Sequence, residues 1–237
     1  MMKLSRINPS RKQTLVFLEL SKNVKGVTLI NQVNIDPIKM KMVTSILVKS
    51  ISIVLQEHPD LNCMLKYGSH NKLIFPDEIN ARITSSEKNQ GIISFQVKNS
   101  DKKTIKEIND EIKQKKIQCG DKHDIDRKIM LIRKLPLWLG ILFSKLALLV
   151  SDNQISIFSS FTVTSFGQKS QHVCIPISGS TFTFTMGAPF QNSQNGYQSH
   201  LVMIFDHRVL DGMQAASFLN DITTVFNDIY WSEHQHA

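Results

Sequence analysis

Cysteine is scarce in this sequence of 237 residues, and its three cysteines, Cys63, Cys119 and Cys174, lie far apart. They form neither a CxxC pair nor the cysteine and histidine spacing of a zinc site, so the sequence indicates no disulfide framework and no metal site. The basic N-terminus also lacks the apolar run and small-residue cleavage site of a signal peptide. We therefore expect a reducing, cytoplasmic location.

Apolar runs long enough to cross a membrane are also lacking. The run LPLWLGILFSKLALLV, at 135–150, has 16 residues and includes Pro136, Gly140 and Lys145. A membrane-spanning helix needs about 20 mostly apolar residues and rarely contains a charge. We expect no transmembrane span. The favoured interpretation is a buried helix or pocket wall, and the alternative is a helix that binds a membrane surface or a partner.

Acidic residues are too few to balance the basic ones, and the imbalance is local. Residues 1–134 carry 25 Lys/Arg and 14 Asp/Glu, whereas residues 135–237 carry 3 and 6, which gives the chain a net charge of +8. Such an excess is typical of chains that bind polyanions. In the most lysine-rich region, 98–134, the basic residues are interleaved with acidic ones and almost no aromatics, so we do not expect nucleic-acid binding.

Internal repeats, low-complexity blocks and Pro- or Gly-rich linkers are absent, which predicts one domain over residues 1–237. Apolar spacing predicts helices at 9–21, 43–56, from 100 onward and at 213–229, and strands at 27–35, 71–75, 81–84, 92–97, 155–164, 182–185 and 200–205. Because these elements do not alternate as regular βαβ units, we predict an α/β sandwich with helices on a mixed or mostly antiparallel sheet.

The helix predicted from residue 100 is amphipathic, with Ser100 or Asp101 as its cap. Its polar face carries six lysines: Lys102, Lys103, Lys106, Lys113, Lys115 and Lys116. A solvated face is the simpler interpretation. The alternative is that the lysines create a positive field, which attracts an anionic donor molecule through a phosphate group such as that of coenzyme A.

The segment Asp-His-Arg-Val-Leu-Asp-Gly, at 206–212, joins a predicted strand to a predicted helix. His207 in this turn, with Asp211 four residues later, is the pattern of a general base with an orienting acid. The alternative is that Asp211 caps the helix that begins at Met213 and that His207 only completes the turn.

The same heptad resembles the active-site signature of the dihydrolipoyl acyltransferases of 2-oxoacid dehydrogenase complexes, which share a fold with chloramphenicol acetyltransferase. Three further segments are similar to family segments in the same order: LVKSISIVLQEHPDLN at 47–62, SDKKTIKEINDEI at 100–112 and FTVTSFG at 161–167. Gly91-Ile92-Ile93-Ser94 lacks the proline of the family's Gly-Leu-x-x-Pro turn. We see no segment that resembles a lipoyl or subunit-binding domain in the sequence, and we therefore expect a stand-alone member of the family.

The resemblance implies direct acyl transfer, with His207 as general base and Thr164, where the family has serine, as donor to the oxyanion. Ser165 is a second candidate donor, and Asp211 would hold the loop and the histidine. Arg208 is an alternative ion-pair partner, and Gly212 would let the chain turn tightly into the helix.

In the family, active sites lie between the subunits of a trimer, so a homotrimer is expected. The apolar run at 135–150 indicates a substrate other than dihydrolipoamide. We expect a coenzyme A thioester or an acyl group on a carrier protein as donor and a small amine, alcohol or thiol as acceptor, in a biosynthetic reaction with no permanently bound cofactor. The alternative function is a catalytically inactive relative that acts as a binding or scaffolding module.

Overall fold

A seven-stranded mixed sheet with helices packed on it organises the chain, as seen in a computed structural model that describes residues 9–35, 42–87, 91–120, 134–165, 173–176, 178–191 and 196–232. The helices are α1 (Pro9–Ser21), α2 (Val43–Glu57), α3 (Ile105–Gly120), α4 (Leu137–Leu148), α5 (Ser151–Phe158) and α6 (Gly212–Ser232), with a 3-10 turn at Pro59–Leu61. The strands are β1 (Gly26–Asn34), β2 (Met64–Leu65), β3 (Leu73–Ile74), β4 (Ala81–Glu87), β5 (Gly91–Val97), β6 (Phe161–Ser165), β7 (Phe182–Met186), β8 (Phe190–Gln191) and β9 (Tyr197–Asp206).

The strand order in the sheet is β1-β9-β7-β6-β4-β5, with β8 paired to β9, and β2 and β3 form a separate hairpin. β6 runs parallel to both of its neighbours, β4 and β7, and the other pairs are antiparallel. The predicted sandwich with a mixed sheet is therefore confirmed. Residues 91–94, which stand where the family has its Gly-Leu-x-x-Pro turn, lie in strand β5.

The main core lies between one face of the sheet and helices α2, α3 and α6. The helical spacing of α2 is confirmed, because Ile46, Leu47, Ile51, Val54 and Leu55 are all buried. Successive strand residues point to opposite faces of a sheet. Phe161 and Val163 of β6 belong to this core, so Thr162 and Thr164 face the other side of the sheet.

The predicted cap of α3 is wrong, because the helix begins at Ile105 and is capped by Thr104. Thr104 Oγ1 accepts the N–H of Glu107 at 3.2 Å, and Glu107 Oε2 accepts the N–H of Thr104 at 2.7 Å, which is a capping box. Ser100 is instead buried, and its hydroxyl lies 2.7 Å from that of Ser52 on α2.

The strand predicted at 155–164 is wrong in its first half, where residues 151–158 form α5. Gln154 of α5 is buried, and its side chain donates to Leu65 O at 2.7 Å and accepts the N–H of Tyr67 at 2.8 Å. These contacts with the β2–β3 hairpin hold α5 as a helix. Ser159 follows with φ of 61°, and β6 begins two residues later.

Two apolar features are more exposed than their sequence indicates. Met213, an apolar residue at the start of the predicted last helix, is 83% exposed. The run at 135–150 forms α4, but Gly140 and Leu148 are its only buried residues, so the prediction of a buried helix is wrong. Among the described residues no single helix is long and apolar enough to span a membrane. Helices α4 and α5 meet that requirement only when taken together, and the pair is bent by 114°.

Candidate active site

The turn that carries His207 follows directly from β9, a strand paired on both sides. β9 ends at Asp206, and the N–H of His207 donates to Lys25 O at 2.9 Å, which ties the turn to the residue before β1. The N–H of Val209 then donates to Asp206 O at 2.9 Å and closes the turn. His207 is exposed at this end of the strands.

Asp206 anchors the turn, a role that the sequence pattern did not predict. It is 4% exposed, and its carboxylate accepts the backbone N–H of Lys25 at 3.3 Å and of Arg208 at 3.2 Å. The Arg208 guanidinium binds the same carboxylate, with Nε 2.9 Å from Oδ1 and Nη2 2.5 Å from Oδ2. Arg208, predicted only as an alternative ion-pair partner, is thus paired with Asp206. The missed signal was the Asp-x-Arg spacing, which places two opposite charges two residues apart where β9 ends and the turn begins.

The His207 ring is oriented by the backbone, because its Nδ1 lies 3.1 Å from Leu210 O. A carbonyl oxygen only accepts hydrogen bonds, so Nδ1 carries the hydrogen in this contact. In the neutral ring, Nε2 is then the nitrogen with a free lone pair, which can take a proton. The ring of Phe205 lies 5.7 Å away, at an angle of 54°.

Asp211 caps α6, as the alternative interpretation proposed. Its Oδ1 accepts the N–H of Met213 and that of Gln214, both at 3.1 Å, and Gln214 Oε1 accepts the N–H of Asp211 at 3.3 Å. These bonds hold the loop that leads out of the His207 turn, while the ring contact of His207 comes from Leu210. A Cβ on Gly212 would meet no atom within 4 Å, so the fold of one chain does not require glycine there.

Thr164 lies near the far end of β6, and one chain does not bring it to His207. It is 8% exposed, and the strand register aligns it with Thr185 of β7 and Val202 of β9. Val202 precedes His207 by five residues, which is about 17 Å along the strand direction. Ser165 is the last residue of β6 and lies farther still from the His207 end.

Metal and cysteine chemistry find no support in the described part of the chain. It holds no group of three or more His, Cys, Asp or Glu that could bind a metal ion. Burial, together with the charge of Asp60, raises the pKa of Cys63 to about 11, so this thiol stays protonated and a poor nucleophile. Burial also raises the pKa of Cys174.

Three solved structures share this fold along most of their length. Dihydrolipoamide acetyltransferase of Azotobacter vinelandii is 18% identical, with a TM-score of 0.70 over 97% of this chain and 93% of that one. A probable dihydrolipoamide acetyltransferase of Listeria monocytogenes is 19% identical, with a TM-score of 0.66 over 96% and 95%. Chloramphenicol acetyltransferase is 7% identical, with a TM-score of 0.54 over 96% and 97%. The chain therefore has the fold of these acetyltransferases.

The family follows from the sequence of the first half. Residues 6–123 match the family model of the 2-oxoacid dehydrogenases acyltransferase (catalytic domain). With this match and this fold, the chain belongs to the 2-oxoacid dehydrogenase acyltransferase family, and it is an acyltransferase. The matched residues end before Thr164 and His207, so the histidine turn is an observation separate from the match. No curated protein sequence matches the chain.

Proposed function

We propose that this acyltransferase moves an acyl group directly from a thioester to a small acceptor, with His207 as general base. The observation that carries this proposal is the contact between His207 Nδ1 and Leu210 O, because it directs the basic Nε2 of an exposed ring away from the turn. A general base needs both a fixed ring and a free lone pair within reach of the acceptor.

The transfer balances without an acyl-enzyme. His207 Nε2 takes the proton of the acceptor as its nitrogen, oxygen or sulfur attacks the thioester carbonyl carbon. The carbonyl oxygen becomes an oxyanion while the new bond forms. When the intermediate collapses, the carbon–sulfur bond breaks, and the departing thiolate receives the proton from the His207 imidazolium. The donor is a coenzyme A thioester or an acyl group on a carrier protein.

Thr164 is proposed as the hydroxyl donor to the oxyanion, with Ser165 as the second candidate. The separation of Thr164 from His207 along the strands supports a site shared between two copies of the chain in a homotrimer, one copy giving His207 and the next giving Thr164. A single donor of this kind stabilises the transition state by roughly 3 kcal/mol. In the Azotobacter vinelandii enzyme, a serine, a histidine and an asparagine four residues after it were investigated for their role in catalysis.

The charge distribution supports an anionic donor. Lys103 and Lys115 of the α3 region are held by Glu111, at 2.6 Å each, whereas Lys106 and Lys113 face solvent. The exposed lysines agree with the solvated face that the sequence predicts, and they also raise the local concentration of a phosphate-bearing donor.

The test compares His207→Ala with His70→Ala, a control at an exposed histidine of the β2–β3 hairpin. Acetyl-, octanoyl- and palmitoyl-coenzyme A are each offered with small amines, alcohols and dihydrolipoamide, and loss of the thioester is followed by absorbance. We expect His207→Ala to lower turnover by at least about 100-fold at unchanged oligomer mass, and the control to keep wild-type turnover. Wild-type turnover in His207→Ala would disprove the assignment of the base. Donor binding without turnover by the wild-type chain would favour a binding module instead.

A further inference from the structure

The outward face of α4 is apolar and uncovered. Trp138 is 66% exposed, and five further apolar side chains on this face and just after it are each about half exposed. They are Leu142, Phe143, Leu146, Leu149 and Val150. Six large apolar side chains so close together form a patch of the kind that marks an interaction site. We call these six residues the α4 patch.

The inner side of α4 is apolar as well. Leu148 of α4 belongs to a small core with Val16 and Leu20 of α1 and Phe158 of α5, and Ile141 packs against it. A helix that is hydrophobic all round is normally covered on all sides. The fold of one chain covers only the inner side of α4, so another surface must cover the outer side.

The geometry of α4 suits a surface rather than a span. Its 12 residues make a helix about 18 Å long, which is shorter than the roughly 30 Å hydrocarbon core of a bilayer. The chain then bends by 114° into α5, which returns it to the sheet. α4 can therefore lie flat on a surface while the rest of the fold stays outside it.

The charges around the α4 patch are mainly positive. The surrounding elements are α1 with the following Lys22, the β2–β3 hairpin, α4 with the preceding Lys134, and α5. Together they carry seven Lys/Arg and two Asp/Glu. One of the two acids, Glu19, is already bound by Lys22 at 2.6 Å and by Lys145 at 2.8 Å. The patch thus has a basic border with little uncompensated negative charge.

We propose that the α4 patch docks on the surface of an anionic lipid membrane. Trp138, Phe143 and Leu146 enter the boundary between headgroups and acyl chains, where tryptophan is favoured, and the basic border binds the anionic headgroups. A protein partner with an apolar groove would match the patch but would not account for the surrounding excess of cations. Charge complementarity therefore favours the membrane.

The experiment is flotation of the full chain with vesicles of phosphatidylcholine alone and of phosphatidylcholine mixed with phosphatidylglycerol. We expect binding to the mixed vesicles to be at least about tenfold stronger and to weaken as salt is added. The chain has two tryptophans, Trp138 and Trp231. In a Trp231→Phe background, the fluorescence of Trp138 should shift to shorter wavelength when these vesicles are added.

The test variant carries Trp138→Ser and Phe143→Ser, and the matched control carries Ile117→Ser and Ile30→Thr. The control positions are 70% and 50% exposed, close to the 66% and 54% of the test positions, but they lie on α3 and β1. We expect the test variant to lose binding by about tenfold or more and the control to stay within twofold of wild type. Equal loss in both variants, or no binding by the wild-type chain, would overturn the proposal. A smaller oligomer mass in the test variant alone would also overturn it, because a second copy would then be covering the patch.

Discussion

Asp206 has no proton to give or take in the proposed reaction, yet it determines where His207 lies. Its buried carboxylate accepts the backbone N–H of Arg208, next to His207, and that of Lys25, before the neighbouring strand β1, and it also binds the Arg208 guanidinium. The histidine ring is in turn fixed by Leu210 O, whose position depends on the same turn. Asp206 is therefore a positioning residue for the proposed base.

We expect Asp206→Asn to lower turnover by about 10- to 100-fold with little change in KM, because the base is misplaced while the substrate-binding surfaces remain. The amide keeps an acceptor but leaves Arg208 without its counter-charge, so the free energy of unfolding should fall by about 1–3 kcal/mol. Steady-state kinetics with an acyl-coenzyme A donor measures the change in turnover and KM, and urea unfolding measures the change in the free energy of unfolding. The control is Asp221→Asn, at an exposed carboxylate 3.5 Å from His58. An unchanged turnover number in Asp206→Asn would show that the anchor does not act on His207.

At the scale of helices and strands, the sequence predicts best those elements that pack against the main core, because their buried apolar side chains recur at helical or strand spacing. The spacing in α2 and the β-forming residues of β9 identified both elements, because each buries apolar side chains in the main core. Residues 155–158 are predicted as strand because the stretch 155–164 is rich in β-forming residues. Their helical state depends on the contacts of Gln154 with Leu65 and Tyr67, which are almost 90 residues away in sequence. Contacts of that range leave no local pattern.

In the candidate site, too, some features could be predicted from the sequence and others could not. The heptad at 206–212 identified His207 and the two candidate roles of Asp211, and the cap role is the one seen in the structure. The bond from Asp206 to Lys25 could not be predicted, because Lys25 reaches Asp206 only when β1 pairs with β9, whereas the pairing with Arg208 is local in sequence. The exposure of α4 was missed because an apolar sequence does not tell which of its sides the rest of the fold covers.

The junction of α1 with α4 should be sensitive to acid. Hydrogen bonds from Lys145 and then from Lys22 lower the pKa of Glu19 to about 2, from an ordinary value of 4.5. A carboxylate whose pKa is lower in the folded state stabilises it above the ordinary pKa, and this contribution is lost as the pH falls towards the folded value. The Glu19 bridge therefore stabilises the fold fully at neutral pH and progressively less from about 4.5 down to about 2.

We expect Glu19→Gln to be less stable than wild type at neutral pH, and the difference to disappear as the pH approaches 2. Urea unfolding at a series of pH values gives the difference directly. High salt should reduce it, since the bridge is partly exposed. Glu57→Gln, at the exposed end of α2, serves as the control for a carboxylate without an ion pair among the described residues and should leave the free energy of unfolding at neutral pH close to that of wild type. A difference that stays constant down to pH 2 would mean that Glu19 acts through packing and not through its charge.

At the scale of the whole molecule, the sheet separates the two groups that the proposed reaction needs. Thr164 is level with Val202, and His207 lies beyond the opposite end of β9, so no rearrangement of side chains joins them within one chain. The register follows from strand pairing and is rigid, because a slip by one residue would turn the core face of each strand to the other side. In the proposed reaction, the Thr164 that acts with His207 therefore belongs to a neighbouring copy of the chain.

This arrangement predicts that two inactive variants restore each other. In a cyclic trimer that contains both His207→Ala and Thr164→Val chains, about a third of the shared sites receive an intact His207 from one chain and an intact Thr164 from the next. Co-expression with two different affinity tags, followed by purification through both tags, should therefore recover a substantial fraction of wild-type turnover, well above the sum of the two variants alone. Mixing the separately purified variants without subunit exchange is the control and should give only that sum. If the co-expressed trimers also give only the sum, the site lies within one chain and the pairing of Thr164 with His207 is wrong.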